Sequence, residues 1–368
     1  MTLHADKQAR AWCGQRTMID EEKRAVELAL YRITRRGLIK VGAGTAGLAV
    51  VGSRLNQSSA QESYKITLIQ GVAGDEFYVS MGCGAQQAAT ETGSQLTIQG
   101  TEKWDATLQI PLLNSVVQSK PDAILIAPND RTALIQPIQD ALNAGIAVFT
   151  VDTLIEADIA IANIASDNVL GGKMAAQELA KLINETGSVY LQNTVPGAST
   201  TDQRQQGFEE EIKNYPNIKY IGVDFNNDDP TTAASQTAAK LQATPDLAGI
   251  FGTNLFSAEG AATAVKEANK TGQIKIVGFD AGPKQVQDLR EGVVDLLIGQ
   301  HPYDIGYKGV MMAVDYLKTK QAPTEKTIAT GYTVVTKDNL DDPEVKKYLY
   351  VADCSEIPAG TPEASPTS

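Results

Sequence analysis

The sequence predicts an α/β fold made of two lobes, each built on its own parallel β-sheet. Strand-like and helical segments alternate from residue 61 onward, which is the pattern of βαβ units. The strand-like segments are short, continuous apolar runs such as Ile124-Leu125-Ile126, as expected for parallel strands that are buried on both faces. The predicted strands are more than one open twisted sheet comfortably holds, so two sheets with a cleft between them are expected.

Five strands and three helices are predicted in the first half of this region. Gly71 ends the first apolar run, and Gly93 follows an Ala-rich segment with helical spacing. Glycine is the usual residue at such ends because it adopts a left-handed backbone without a steric penalty. The predicted strands cover residues 64–70, 95–99, 123–127, 146–151 and 159–164, and the predicted helices cover residues 77–92, 105–118 and 131–143.

The second half repeats the alternation with five strands and five helices. The predicted strands cover residues 188–192, 219–223, 249–252, 275–278 and 295–299, and the predicted helices cover residues 168–183, 202–213, 231–241, 258–268 and 284–290. The end of the chain is rich in Pro, Ser, Thr, Ala and Glu without periodicity. Residues 354–368 are therefore predicted to be a disordered tail.

Residues 1–60 are predicted to be a leader that carries an export signal. Arg35-Arg36 precedes a weakly apolar run rich in Gly and Ala, and small residues follow at Ser58-Ser59-Ala60, where a signal peptidase could cut. This pattern is typical of a twin-arginine signal peptide, which predicts a periplasmic or other extracytoplasmic location. The segment ahead of the arginines is long, so translation from Met1 or from Met18 is left open.

A competing interpretation of the leader is a dinucleotide-binding turn, because Gly42-Ala43-Gly44-Thr45-Ala46-Gly47 spells G-x-G-x-x-G. That motif binds a pyrophosphate only between the strand and the helix of a βαβ unit. Here only Leu38 to Val41 could form the strand, and a cleavage region follows at Asn56 to Ala60. The export signal is therefore favoured. The same glycines interrupt the apolar run, which predicts no membrane-spanning helix.

The charge of the chain excludes one class of partner. The net charge is −12, and residues 61–368 alone hold 39 acidic and 22 basic side chains. A surface that binds nucleic acid neutralises phosphates with Lys and Arg. The strongly acidic body therefore predicts that nucleic acid is not a partner.

Three cysteines, Cys13, Cys83 and Cys354, are spread over the chain. They are too few and too scattered for a disulfide framework or a zinc site. We interpret them as packed or surface thiols, with a bridge between Cys83 and Cys354 left open.

Polar residues follow the predicted strands, where the ligand crevice of a parallel α/β sheet forms. Carboxylates and amides suit a sugar, because its hydroxyl groups both donate and accept hydrogen bonds, while aromatic rings cover the C–H face of the sugar ring. Each of these residues also has a structural interpretation as a cap, a turn or a core side chain. The loops concerned contain residues 71–77, 128–130, Asp152, 193–201, 226–229, Asn254, Asp280 and Gln300, with Phe77 and Tyr78 beside them.

Several motifs, weak singly but specific in their order, carry a family resemblance. Together they make residues 62–340 resemble the type I periplasmic binding proteins, in the ribose-binding-like branch of the sugar ABC transporter receptors. The motifs are Glu76-Phe77-Tyr78-Val79-Ser80 with Gly84-Ala85-Gln86, Ile164-Ala165-Ser166-Asp167-Asn168-Val169-Leu170-Gly171-Gly172-Lys173, Gln206-Gly207-Phe208, Val277-Gly278-Phe279-Asp280, and Gln300 with Pro302 and Asp304-Ile305-Gly306.

The resemblance implies two Rossmann-like lobes joined by a hinge of three segments. The chain should cross between the lobes near Ser166, Gln300 and Thr330. The implied N-terminal lobe comprises residues 61–166 and 301–329, and the implied C-terminal lobe comprises residues 167–300 and 330–353.

The resemblance also implies a ligand site. Phe77 and Tyr78 should stack on the sugar ring. Asp152, Asn254, Asp280 and Gln300 should bind its hydroxyl groups. We add Asp75 and Asp202 as further candidate ligand residues. Thr153 after Asp152 and Asp202 ahead of Arg204 depart from the arginines of the ribose receptors, and the loop 226–229 has no aromatic residue. A pentose, hexose or sugar alcohol is therefore implied rather than ribose itself.

We predict that the protein is a monomeric receptor that delivers its sugar to the membrane permease of an ABC importer. We predict no cofactor, no metal ion and no catalytic activity. The only histidines are His4 and His301, and no H-E-x-x-H or G-x-S-x-G motif occurs. A glycoside-acting enzyme stays an alternative because two carboxylates can suffice. A sugar-sensing repressor is disfavoured, since the short helix that residues 20–36 could form cannot build a helix-turn-helix.

Overall fold

The structure, a computed structural model, describes residues 63–357, which form two α/β lobes with one β-sheet each. This confirms the predicted fold class. Within the described residues, no helix is both long enough and apolar enough to cross a bilayer. The predicted export signal, Cys13 and most of the predicted tail lie outside these residues.

The first lobe contains a sheet of parallel strands in the order β11-β5-β4-β3-β1-β2. Its central strand β3 is buried along its whole length, as its continuous apolar sequence predicts. The strands are β1 (Lys65–Gln70), β2 (Gln95–Gly100), β3 (Ala123–Ile126), β4 (Ala147–Val151), β5 (Asn163–Ser166) and β11 (Thr327–Thr330).

The second lobe contains a sheet in the order β12-β10-β9-β8-β6-β7. Its strands are parallel except β12, which runs antiparallel to β10 at the edge. The strands are β6 (Gly187–Asn193), β7 (Ile218–Phe225), β8 (Leu247–Gly252), β9 (Lys275–Phe279), β10 (Leu296–Gln300) and β12 (Tyr332–Val335).

The chain passes between the two sheets after β5, after β10 and between β11 and β12. These crossings follow Ser166, Gln300 and Thr330. Hydroxyl groups of two crossings contact each other, because Ser166 Oγ lies 3.4 Å from Thr330 Oγ1. The sequence analysis predicted neither β11 nor β12, which follow the helix at residues 302–319.

Helices cover both faces of each sheet, and most begin at a polar cap. Asp167, for example, accepts a hydrogen bond from the amide of Leu170, which caps the first turn of its helix. The helices are α1 (Glu76–Thr92), α2 (Ala106–Ser119), α3 (Ile135–Asn143), α4 (Asn168–Leu182), α5 (Ser199–Glu211), α6 (Pro230–Ala243), α7 (Leu255–Glu267), α8 (Pro283–Glu291), α9 (Pro302–Thr319) and α10 (Pro343–Lys346). Helix α9 was not predicted.

Each lobe contains a pair of helices whose backbones touch at two glycines, one from each helix. In the first lobe the pair is α1 and α9, and in the second lobe it is α4 and α5. A Cβ atom at any of these glycines would overlap a carbonyl oxygen of the facing helix, so only glycine allows this approach. The facing carbonyl oxygen belongs to Tyr303 for Gly84, to Met81 for Gly306, to Arg204 for Gly172 and to Val169 for Gly207.

The C-terminal segment (residues 342–357) corrects two predictions. Cys354 forms a disulfide with Cys83 of helix α1, with their Cα atoms 5.4 Å apart, so the bridge left open is present and the interpretation of these two cysteines as thiols is wrong. The predicted tail is also wrong at its start, because Cys354–Glu356 form a 3-10 turn. Composition could not reveal this, since the partner cysteine lies 271 residues away in sequence.

Candidate functional site

A cavity lies between the lobes at the carboxyl ends of the strands. This is where parallel α/β sheets bind ligands. Residues from both lobes line it: Asp75, Phe77, Tyr78, Trp104 and Asp152 from the first lobe, Thr194, Ala198, Thr200, Thr201, Arg204, Asp228, Asn254 and Asp280 from the second, and Gln300 at a crossing.

Seven of the eight predicted ligand residues line this cavity, and Asp202 does not. The Asp202 carboxylate lies 3.2 Å from the Arg131 guanidinium and accepts a hydrogen bond from the amide of Gly197. The reason is helical geometry: Thr200, Thr201 and Arg204 share one face of α5, whereas Asp202 lies on another. The structure therefore separates Asp202 from the other seven residues.

Aromatic rings form the wall of the first lobe. Phe77 and Tyr78 meet edge to face with their centroids 5.1 Å apart, and both are buried. Trp104, which the sequence analysis missed, lies in the loop after β2. A Cβ atom at Gly71 would collide with the rings of Tyr78 and Trp104, so the absence of a side chain there lets both rings approach the end of β1.

Asp152 and Asp280 hold corresponding positions, each directly after a central strand of its lobe. Both have a left-handed backbone, with φ of 62° and 78°, a conformation that costs a non-glycine residue energy and concentrates at functional sites. The Asp152 carboxylate accepts a hydrogen bond from the Tyr78 hydroxyl at 2.7 Å. The recurrence at equivalent strand ends was the signal in the sequence, and the structure brings both carboxylates to one cavity.

The Asp280 carboxylate is held by three donors. Its Oδ2 accepts from the amide of Leu255 at 2.9 Å, and its Oδ1 accepts from Gln300 Nε2 at 2.7 Å and from the Tyr350 hydroxyl at 2.9 Å. Tyr350 was not predicted as part of the site. These bonds fix the carboxylate against rotation, which preorganises the polar wall of the second lobe.

Arg204 is the one cationic side chain among the cavity-lining residues of the described chain. Its guanidinium donates to Asn168 Oδ1 at 2.9 Å and to the carbonyl oxygen of Thr253 at 2.8 Å, and it lies 3.9 Å from the centroid of the Phe279 ring. The sequence analysis treated this region as a departure from the family pattern because of Asp202. The structure instead places a buried arginine in the cavity, rigidly held on two sides.

Four carboxylates give the cavity an acidic character. Burial raises the pKa of Asp152 to about 6, partly offset by the Tyr78 hydrogen bond and by Arg204. Burial also raises the pKa of Asp228 to about 6, against the hydrogen bond from Asn254. The pKa of Asp75 is raised too, by burial and then by the charges of Asp228 and Asp280. Within the described residues, no group of three or more acidic, His or Cys side chains could hold a metal ion.

Two buried polar atoms at the cavity have no hydrogen-bond partner within residues 63–357. They are Gln300 Oε1, which is an acceptor, and Trp104 Nε1, which is a donor. Buried polar groups are rarely left unpaired, because each costs free energy. A ligand with hydroxyl groups could satisfy both, since an alcohol donates and accepts.

Comparison with known proteins places the chain among binding proteins. A family model described as a periplasmic binding protein domain matches residues 66–321. The chain is similar to the ribose import binding protein of Haemophilus influenzae, with 30% identity over 272 residues that cover 74% of this chain and 90% of that relative.

Solved structures agree with this comparison. An ABC transporter solute-binding protein from Agrobacterium vitis, crystallised with α-D-tagatopyranose, has a TM-score of 0.77 and 45% identity, covering 78% of this chain and 100% of that chain. A second solute-binding protein from Agrobacterium vitis, with bound D-fucose, has a TM-score of 0.74 and 32% identity, covering 77% of this chain and 99% of that chain.

Proposed function

Because the chain belongs to the periplasmic binding protein family, we propose that it is the solute-binding receptor of an ABC importer and that its cleft binds one monosaccharide or sugar alcohol. The observation that carries this proposal is the pairing of an aromatic wall with a polar wall. A sugar has a C–H face that packs on rings and hydroxyl edges that need both donors and acceptors.

The unpaired Gln300 Oε1 and Trp104 Nε1 support an alcohol as the ligand. An anionic ligand would meet four carboxylates and one arginine, so it would be repelled. The relatives that were crystallised with tagatose and fucose support a hexose. Thr153, which stands where ribose receptors have an arginine, is fully buried and donates to the carbonyl oxygen of Pro128, so it offers ribose no charged contact.

Capture should follow from the division of the binding groups between the lobes. A ligand stabilises a closed arrangement only by its differential affinity for it. Stacking on Phe77 and Trp104 requires the first lobe alone, whereas hydrogen bonds to Asp280 and Arg204 require the second. Closure at the three crossings then brings both walls to the sugar.

We further propose that the protein is exported through the Arg35-Arg36 signal, acts as a monomer and delivers its sugar to a membrane permease. The family supports an extracytoplasmic location. A reporter fused to residues 1–60 tests the signal: export should require both arginines. Light scattering tests the oligomeric state, and a stable dimer would contradict it.

Thermal unfolding in the presence of single sugars tests the binding function. The panel contains D-tagatose, D-fucose, D-arabinose, D-ribose and sugar alcohols. A ligand at about 100 times its Kd adds roughly 2.7 kcal/mol to the free energy of unfolding, which is easily measured. The proposal fails if no sugar in the panel raises the Tm. Turnover of labelled glycosides would instead favour the enzyme.

A further inference from the structure

The C-terminal segment lies outside the family match, which ends at residue 321, yet it reaches the binding cavity. Resting on the proposed sugar-binding function, we propose that Tyr350 of this segment is a positioning residue for Asp280 and Gln300. We further propose that the Cys83–Cys354 disulfide supports ligand affinity by holding Tyr350 in place.

The segment is attached to the first lobe by three contacts with helix α1. The disulfide joins Cys354 to Cys83. The amide of Val351 donates to Ser80 Oγ at 3.0 Å, and the Tyr350 ring meets the Phe77 ring edge-on with the centroids 5.7 Å apart. Because all three contacts are buried or covalent, the segment is fixed to the aromatic side of the site.

The same segment contacts the second lobe next to Asp280. The amide of Tyr350 donates to the carbonyl oxygen of Ala281 at 3.0 Å. Two residues earlier, Tyr348 stacks on His301, which directly follows the crossing at Gln300, at a centroid distance of 3.6 Å. Tyr350 is therefore held between the lobes, with only 4% of its surface exposed.

The Tyr350 hydroxyl joins the two ligand-facing residues. It donates to Asp280 Oδ1 at 2.9 Å and accepts a hydrogen bond from the backbone amide of Gln300 at 3.1 Å. Burial, and then the nearby Asp280 charge, raises the pKa of Tyr350 well above its usual range, so the hydroxyl stays protonated and able to donate.

This arrangement determines which atom Gln300 offers to a ligand. Carboxylate oxygens accept hydrogen bonds, and the side-chain amide of Gln300 turns its NH₂ group toward Asp280, where Nε2 lies 2.7 Å from Oδ1. Its Oε1 is then left without a partner among the described residues. Asp280 thus orients Gln300 as an acceptor for a ligand hydroxyl, and Tyr350 supports this orientation by bonding both the Asp280 carboxylate and the Gln300 backbone.

The variant Tyr350→Phe tests this role because it keeps the ring and removes only the hydroxyl. Without that hydroxyl, the backbone N–H of Gln300 loses its acceptor and the Asp280 carboxylate loses one of its donors. We expect faster hydrogen exchange of the Gln300 backbone amide in the ligand-free protein, and about tenfold weaker binding, because the sugar must then itself order the Gln300 and Asp280 side chains. Calorimetric titration uses D-tagatose as the probe, with D-fucose and D-arabinose as further probes.

Tyr348→Phe is the matched control. It deletes the same atom in the same segment, but Tyr348 contacts His301 rather than Asp280. We expect wild-type exchange at Gln300 and wild-type affinity in this variant. The role assigned to Tyr350 is overturned if Tyr350→Phe also keeps both wild-type values.

The double variant Cys83→Ser with Cys354→Ser tests the disulfide. It should weaken binding several-fold and raise exchange at the Tyr350 and Val351 amides. Adding Tyr350→Phe to this double variant should then reduce the sugar affinity by a smaller factor than it does in the bridged protein, because both changes act through the Tyr350 hydroxyl. Fully additive losses, or unchanged affinity without the bridge, would overturn this part of the proposal.

The two proposals fail separately. If the wild type binds no sugar in the panel, the proposed function fails, while exchange at Gln300 still decides whether Tyr350 orders that residue. If the wild type binds a sugar and Tyr350→Phe binds it equally well, only the positioning role fails.

Discussion

The two walls of the cleft differ in chemistry and in construction. The first lobe offers the rings of Phe77, Tyr78 and Trp104, two of them adjacent in sequence at the start of one helix. The second lobe offers Arg204, Asp280 and other polar groups from several separate segments. A wall of rings tolerates many sugars, because stacking depends on shape, whereas a wall of fixed donors and acceptors discriminates among hydroxyl positions. The difference suggests that the first lobe attracts sugars and the second lobe selects them.

The corresponding carboxylates illustrate the same contrast. Asp152 of the first lobe accepts one side-chain hydrogen bond, from Tyr78. Asp280 of the second lobe accepts three hydrogen bonds, from Leu255, Gln300 and Tyr350. The more strongly held carboxylate lies on the wall that should determine specificity.

The largest effect is expected from Asp280→Asn on the second wall. An amide cannot accept on both of its atoms, so the donors that converge on Asp280 would lose a partner and the wall would lose its order. We expect about 100-fold weaker sugar binding, roughly 3 kcal/mol, measured by calorimetric titration. An unchanged circular dichroism spectrum would control for folding. Wild-type affinity would contradict the assignment of specificity to this wall.

A smaller effect is expected from Trp104→Ala on the first wall. Loss of one ring should weaken binding of every sugar by a similar factor of about ten, because a stacking contact contributes about 1–1.5 kcal/mol. Trp104→Phe keeps a ring and removes the N–H, so it separates the two contributions. A loss confined to one sugar of the panel would assign selectivity to the first wall as well.

The pH dependence of stability should distinguish the buried Asp152 from ordinary carboxylates. Its folded-state pKa of about 6 lies above the usual 3.8, so the folded state binds this proton more tightly than the unfolded state. Its contribution to stability is therefore full below about pH 4 and lost as the pH rises through 6. Between pH 7 and pH 5 this group should add about 1 kcal/mol to the free energy of unfolding.

Asp152→Asn should remove that gain, so thermal unfolding at pH 5 and pH 7 should show a smaller difference than in the wild type. Asp158→Asn is the control, because the Asp158 side chain is 84% exposed. If both variants kept the wild-type difference, Asp152 would not carry the effect.

The smallest effect is expected from Asp202→Asn, which should change sugar affinity less than twofold. Its carboxylate pairs with Arg131 outside the cavity, and such partly exposed pairs contribute little. Titration with the best sugar of the panel measures this. A tenfold loss of sugar affinity would show that Asp202 belongs to the binding site and to the second wall.

The sequence predicted strands β1 to β10, because apolar runs and their spacing reflect burial directly, but it did not predict β11 and β12. Position after a strand also located Asp152 and Asp280, since all parallel strands present their carboxyl ends at one edge. Trp104 obeys the same rule after β2, but the loops considered did not include that one.

Other parts of the site depend on facts that local patterns do not contain. Asp202 and Arg204 are two residues apart, and only the rotation of α5 against the sheet decides which of them faces the cavity. Tyr350 reaches Asp280 through a segment held by Cys354 and Cys83, a contact between opposite ends of the fold. Helix α9 begins with Pro302 directly after a strand, and its position became clear only from its packing against α1.

The disulfide between Cys83 and Cys354 turns most of the described chain into a covalent ring. A protease that cuts once in any surface loop inside this ring would open it without releasing a fragment, and the two pieces would migrate as one chain until a reductant was added. Damage to a single loop would therefore not set either lobe free, which suits a protein that has to survive outside the cell's repair systems.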